Sequence, residues 1–196
     1  LNTLLEKTYT IGSYSYINIS TNSFDKQAEQ LLSRFQIDMV PLDNLLVQLR
    51  KWLGKVQRAL PEALQQPGSA NQHAFFLLEE ADQSRYLMSE AEEMLANELT
   101  LSGGTAWGQL QGVLTSQKTA EFELEGKMQQ LPMPALINLR SHPSAEVRKR
   151  AYQTEMVVWE ELKEPLAACL NGVKGESITL DKKRGRLDSL HASLDY

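Results

Sequence analysis

The run from Ser144 to Gly175 constrains this chain more than any other. Val147, Ala151, Met156, Trp159, Leu162, Leu166 and Cys169 recur at roughly three- and four-residue intervals. That spacing puts apolar side chains on one face of an α-helix. Pro143 and Ser144 stand just before it. The Ser144 hydroxyl can accept from an otherwise unpaired amide of the first turn, and Glu146 adds negative charge where the helix dipole favours it. Pro165 lies inside the pattern and is expected to kink the helix, because it removes a backbone donor and clashes with the preceding turn. Asn171, Gly172 and Gly175 are expected to end it. Arg148, Lys149 and Arg150 form a basic cluster, but Glu155, Glu160, Glu161 and Glu164 cancel it on the same segment. The pattern predicts a solvated mixed-charge face rather than a nucleic-acid site. The sequence stops within a second helix-like segment around His191. The native chain is therefore expected to continue past Tyr196, and to start upstream of Leu1, which is not an initiator methionine.

The remaining chain reads mostly as helix. Residues 1–20 are ambiguous. Tyr9, Ile11, Tyr14, Tyr16, Ile17 and Ile19 suit a strand by propensity, whereas Leu1, Leu4, Leu5, Thr8 and Tyr9 suit a helix by spacing. The aromatic residues read as core or interface rather than a ligand box. Asn22 or Ser23 is expected to cap a long amphipathic helix carrying Phe24, Ala28, Leu31, Leu32, Phe35 and Met39. That helix is perturbed at Pro41 and continues through Leu45, Leu46, Leu49 and Leu53. Pro61, Pro67, Gly68 and Ser69 mark a break. Helices follow over 73–82 and 89–99, the second with a capping box at Ser89 and Glu92. Ser102, Gly103 and Gly104 form a turn before a helix over 105–114; the Lys and Ser/Thr of a phosphate-binding loop are missing. Between Thr119 and Leu131, Ala120, Phe122 and Leu124 alternate with Glu121, Glu123 and Glu125 before Gly126. This period of two predicts one β-hairpin, projecting from the helical body. The expected class is mainly α: a multi-helix lobe with one short hairpin near 119–131. It divides into a helical region over 1–116 and a hairpin with long helices over 117–196, within one continuous fold.

Composition narrows the function classes. With 196 residues, 42% of them hydrophobic and 23% charged, the chain can bury a real core. A net charge of −5 provides no global attraction to nucleic acid or anionic membrane. No apolar run spans a bilayer, and residues 1–20 lack the basic start and cleavage site of a signal peptide. Cys169 is the single cysteine. It has no internal disulfide partner, which fits a reducing cytoplasm, and its helical position makes it a small buried apolar residue.

Several short patterns occur in an order that resembles the N-terminal part of the oligoendopeptidase F family, zinc metallopeptidases akin to thimet oligopeptidase. A short apolar helix, Leu136 to Arg140, leads through Ser141 into Val147, Arg148, Ala151 and Tyr152. Leu170, Asn171 and Gly172 resemble the family's Leu-Asn-Gly turn, and Arg184 and Gly185 its basic Arg-Gly pair, followed by Ser189 and Leu190. Upstream, Leu87, Met88, Ser89, Glu92 and Glu93 match a Leu-Ser-x-x-Glu-Glu pattern with one inserted residue. Gly103, Ala106, Trp107 and Leu110 match Gly-x-x-Ala-Trp-x-x-Leu. The resemblance is clearest over 85–196. It favours helix for residues 1–20. It also implies a cytoplasmic parent enzyme that cleaves short peptides with zinc held downstream, and a helical N-terminal region that walls the substrate channel against that enzyme's own C-terminal catalytic lobe.

The residues present supply no chemistry of their own. Zinc peptidases of this kind use His-Glu-x-x-His on a helix, because histidines at i and i+4 share a face and the glutamate polarises the metal-bound water. His73, His142 and His191 have no partner at i+4, and there is no Cys-x-x-Cys. His142 reads as a turn residue and His191 as a surface or packing residue. Glu92 with Glu93, and Glu160 with Glu161, are adjacent and diverge around a helix, so neither makes an acid/base dyad. No catalytic, metal-binding or cofactor-binding residue is expected in this stretch. Its expected partners are short peptides, through the intact enzyme, and the catalytic lobe; a homodimer stays open, and neither nucleic acid nor membrane is expected. The competing class is a stand-alone helical interaction or oligomerisation module.

Overall fold

A computed structural model describes residues 2–194 of the chain. It is mainly α-helical with one two-stranded hairpin, as the sequence pattern predicts. The helices are α1 (Asn2–Thr21), α2 (Lys26–Val56), α3 (Leu60–Ala63), α4 (Ser69–Gln72), α5 (Ala74–Gln83), α6 (Glu90–Thr100), α7 (Ala106–Gln117), α8 (Met133–Asn138), α9 (Ala145–Lys183) and α10 (Ser189–Leu194). Strands β1 (Thr119–Leu124) and β2 (Lys127–Pro132) lie between α7 and α8. No described helix is long and apolar enough to cross a membrane. The chain forms two compact units. The first comprises Leu1–Phe35 and Gly103–Lys174, the second Gln36–Ser102 and Gly175–Tyr196.

In the first unit the core is built on the hairpin, α8 and α9. Phe122, Met133, Leu136, Ala151, Val158 and Leu162 are buried together, with Leu114, Ala120, Leu124, Leu131 and Trp159 packed around them. The hairpin was expected to project; instead the inward face of β1 lies in this core. Alternation is the reason: Ala120, Phe122 and Leu124 all point one way from a strand. Glu125 and Gly126 make the turn, with φ of 52° and 75°, the two positive angles of a tight I′ hairpin.

Helix α1 resolves the ambiguity of residues 1–20 in favour of helix. Thr8, Thr10 and Ser15 direct their hydroxyls to the carbonyls of Leu5, Glu6 and Ile11, three or four residues back. The hydroxyl donors are thereby satisfied within the helix, which lets these residues be tolerated there. The tyrosines expected in a core or interface are not in this chain's core: Tyr9 is 78% exposed, and Tyr14 and Tyr16 are exposed too. The cap of α2 also differs from expectation. Asp25, not Asn22 or Ser23, accepts from the amides of Gln27 and Ala28. Asn22 turns the chain one step earlier by accepting from Phe24 N–H.

In the second unit, Leu53, Leu60, Leu64 and Ala81 form a smaller core from α2, α3 and α5. Helix α6 starts with the expected capping box: Ser89 accepts from Glu92 N–H while Glu92 accepts from Ser89 N–H. The expected turn at 102–104 is a kink between α6 and α7, with Gly103 outside helical geometry.

Helix α9 departs most from the sequence reading. It continues through Pro165 as one α-helix, and Asn171, Gly172 and Gly175 do not end it. It ends at Lys183 in a Schellman motif. Arg186 N–H reaches Asp181 C=O and Gly185 N–H reaches Lys182 C=O, with Gly185 at φ 73°. Only this glycine meets the left-handed requirement of a helix stop; Gly172 and Gly175 have helical backbones.

Candidate functional site

The three histidines, none of which is expected to bind metal, serve local structure. His142 Nδ1 accepts from Ser144 N–H at 3.1 Å, while its carbonyl accepts from Arg148. It fixes the turn into α9, as expected. His73 sits at the start of α5 and is exposed. His191 packs edge-on against Tyr86, with ring centroids 5.4 Å apart. Its Nδ1 accepts from Leu187 N–H at 3.2 Å, so in the neutral ring Nε2 carries the proton and donates to the Tyr86 hydroxyl. Arg186 stacks on the same Tyr86 ring at 3.7 Å, so this is a packing cluster that ties down the last turn. Among the described residues no three His, Cys, Asp or Glu side chains group to hold a metal ion. The described residues therefore offer no fitting ligand set for the zinc that the resemblance implies.

The chain's strongest polar constellations are instead two buried carboxylates, one in each unit. Glu155 is only 1% exposed. It lies on the same face of α9 as Ala151, Val158 and Leu162. Arg140, at the end of the short turn after α8, donates to it through two nitrogens, with Nε to Oε2 at 3.0 Å. Trp159 Nε1, one helical turn on, donates at 2.8 Å. The Arg140 guanidinium, with help from the Trp159 N–H, holds the Glu155 carboxyl below the usual carboxylate range against the opposing effect of burial. The solvated mixed-charge face expected for this helix is thus interrupted by one buried charge.

Glu93, also 1% exposed, accepts a bidentate pair from Arg184, Nε at 3.0 Å and Nη2 at 2.6 Å, and a further bond from Met88 N–H at 3.1 Å. Glu92 and Glu93 do diverge, one to cap α6 and the other into this pair. Glu160 and Glu161 likewise separate, to Lys163 and Lys118.

A third meeting is steric. A Cβ added at Gly172 would overlap the indole of Trp107. The Leu-Asn-Gly pattern therefore marks a place where α9 must lack a side chain to admit an aromatic ring, not a helix end. Sequence reasoning quoted Glu93, Arg184, Trp107, Gly172 and Arg140 as separate fragments. The structure joins them as Glu93 with Arg184, Trp107 with Gly172, and Arg140 with Glu155. Glu155, expected on the solvated mixed-charge face, is buried instead. Its signal is a lone charge at a stripe position, four residues after Ala151 and three before Val158.

These groups can hold helices in register and orient them; they present no open nucleophile, acid or base. No protein-family model and no curated protein matches the chain. Among solved structures it is similar in fold to oligoendopeptidase-F from Enterococcus faecium, with a TM-score of 0.74 at 17% identity. The similarity covers 96% of this chain and 37% of that one, so the chain spans little more than a third of the protein whose fold it shares.

Proposed function

We propose that this chain is the N-terminal helical lobe of a zinc-dependent oligoendopeptidase, and that it walls the channel through which short peptides reach a catalytic lobe encoded downstream. The observation that carries this reading is the fold similarity, which takes in nearly the whole chain but only 37% of the peptidase. The coupled pairs described above support it, because Glu93, Arg184, Trp107, Gly172 and Arg140, which belong to the resembling patterns, join separate segments. On this reading the lobe contributes steric exclusion and backbone contacts, and the bond-breaking groups lie elsewhere. The parent enzyme would act in the cytoplasm.

The test is the product of the complete reading frame. It is expected to contain His-Glu-x-x-His beyond residue 196, to cleave quenched-fluorescent short peptides and to spare folded proteins. A chelator is expected to abolish the cleavage. A reading frame without that motif, or a full-length product inert toward peptides, overturns the proposal.

A further inference from the structure

The hairpin has an open edge. Glu125 and Gly126 form a two-residue turn, so Leu124 and Lys127 are the first hydrogen-bonded pair. Alternation along an antiparallel ladder makes Phe122 with Gln129, and Ala120 with Leu131, the next such pairs. The bond from Met133 N–H to Lys118 C=O, 2.9 Å, continues the same series beyond the strands. It follows that Met128 and Gln130 turn their backbone N–H and C=O groups outward from β2. Both residues are exposed, Met128 by 65%. The opposite edge is not equivalent: the outward carbonyl of Glu123 on β1 already accepts from Arg150 at 3.2 Å.

The exposed face beside this edge is acidic. Glu121 and Glu123 lie on it, cross-strand from Gln130 and Met128; Glu121 also accepts from the Gln130 side-chain amide at 3.1 Å, and Glu123 has Arg150 as a loose ion-pair partner at 3.8 Å. The backbone of a strand added to β2 would run about 10 Å from those carboxylates, two strand spacings and beyond the Debye length of about 8 Å at physiological salt. Long cationic side chains cover part of that gap. We infer that β2 is a docking edge for an extended peptide segment with basic residues at alternate positions. It would add as a third strand to the Met128 and Gln130 backbone groups and place its Lys or Arg side chains on the Glu121–Glu123 face. This interaction is separate from the channel-wall role and stands or falls apart from it.

The 196-residue chain, labelled with nitrogen-15, tests the inference. It is titrated with the peptide acetyl-Lys-Val-Lys-Val-Lys-amide, and in parallel with acetyl-Glu-Val-Glu-Val-Glu-amide. The basic peptide is expected to shift the Met128 and Gln130 amide resonances and to slow their hydrogen exchange at least tenfold, with the acidic peptide weaker by tenfold or more. Gln130→Pro removes an outward donor and no ladder bond; it is expected to abolish the response with the circular dichroism unchanged. Should that variant not fold, Glu121→Lys with Glu123→Lys is the deciding one, and it is expected to invert the preference between the two peptides. Unchanged Met128 and Gln130 amides at about 1 mM basic peptide, or an equal response to both peptides, would overturn the inference. Edge protection that depends on protein concentration alone would also overturn it, and would assign the edge to a second copy of the chain.

Discussion

Replacing Arg140 by Ala should destabilise the first unit by about 2–3 kcal/mol at neutral pH, and the deficit should shrink in acid. Removing one partner of a buried ion pair costs about 3–5 kcal/mol, because the remaining charge is left without compensation. Glu155 fits that description, but the Arg140 side chain is 57% exposed. Water already screens part of the pair and can partly hydrate the site once the guanidinium is gone, which sets the lower range. In the wild type the Glu155 carboxyl is held low by Arg140. The pair's contribution is complete above the unfolded carboxyl value of about 4.3 and is lost as pH falls through the lower folded value. In Arg140→Ala only the Trp159 N–H opposes burial. Glu155 then takes up a proton more readily when folded than when unfolded, so acid stabilises the variant while the wild-type pair persists. Denaturant unfolding at pH 7 and pH 4 measures both effects. Trp159 fluorescence in a Trp52→Phe, Trp107→Phe background reports on the site itself. A deficit under about 0.5 kcal/mol at pH 7, or one that grows on acidification, refutes the reasoning. A matched pair of changes, Arg140→Met with Glu155→Met, should recover most of the loss, because neither charge then stays buried alone.

Gly172→Ala should cost about 1–3 kcal/mol by overpacking against Trp107, and Trp107→Ala in the same chain should relieve part of that cost; thermal unfolding of both variants checks it. Ser89→Ala should cost about 1 kcal/mol through loss of the α6 cap, read as a lower denaturation midpoint with unchanged slope. The 196-residue chain alone should bind no stoichiometric zinc and should not hydrolyse peptides, because the described residues form no ligand set; metal analysis and a quenched-fluorescent peptide assay decide it. Trp159 should show intermediate iodide quenching, since it is half-buried and bonded to Glu155.

Some local signals were legible where one segment contains both halves of an interaction. The Ser89–Glu92 box and the alternation of β1 are settled within a few residues, and the structure matches them; the α2 cap is equally local, but three neighbouring cap-type residues compete there and Asp25 takes the role. The end of α9 was misread for a related reason. Three small or flexible residues at 171–175 look like a stop until it is known that Trp107 occupies the space above Gly172, a fact held more than sixty positions away. One position on the buried face of α9 also differs from expectation. Met156 was placed on it, yet is exposed, because Glu155 is on the buried face instead, and a charge is assigned to solvent unless its partner is in view.

The same argument explains why the weak sequence patterns carry weight together. Taken singly, an Arg-Gly pair or two adjacent glutamates have no meaning that local chemistry can supply. Arg184 needs a buried carboxylate within reach, and Glu93 needs a guanidinium to be buried at all. Neither requirement is visible in its own segment, and each explains the other once α6 and the end of α9 are placed together. Trp107 and Gly172 stand in the same relation through volume in place of charge. Such couples fix how helices meet while leaving the surrounding residues free to vary. The solved neighbour shares this fold at only 17% identity, and couples of this kind reveal an architecture well before they reveal a chemistry.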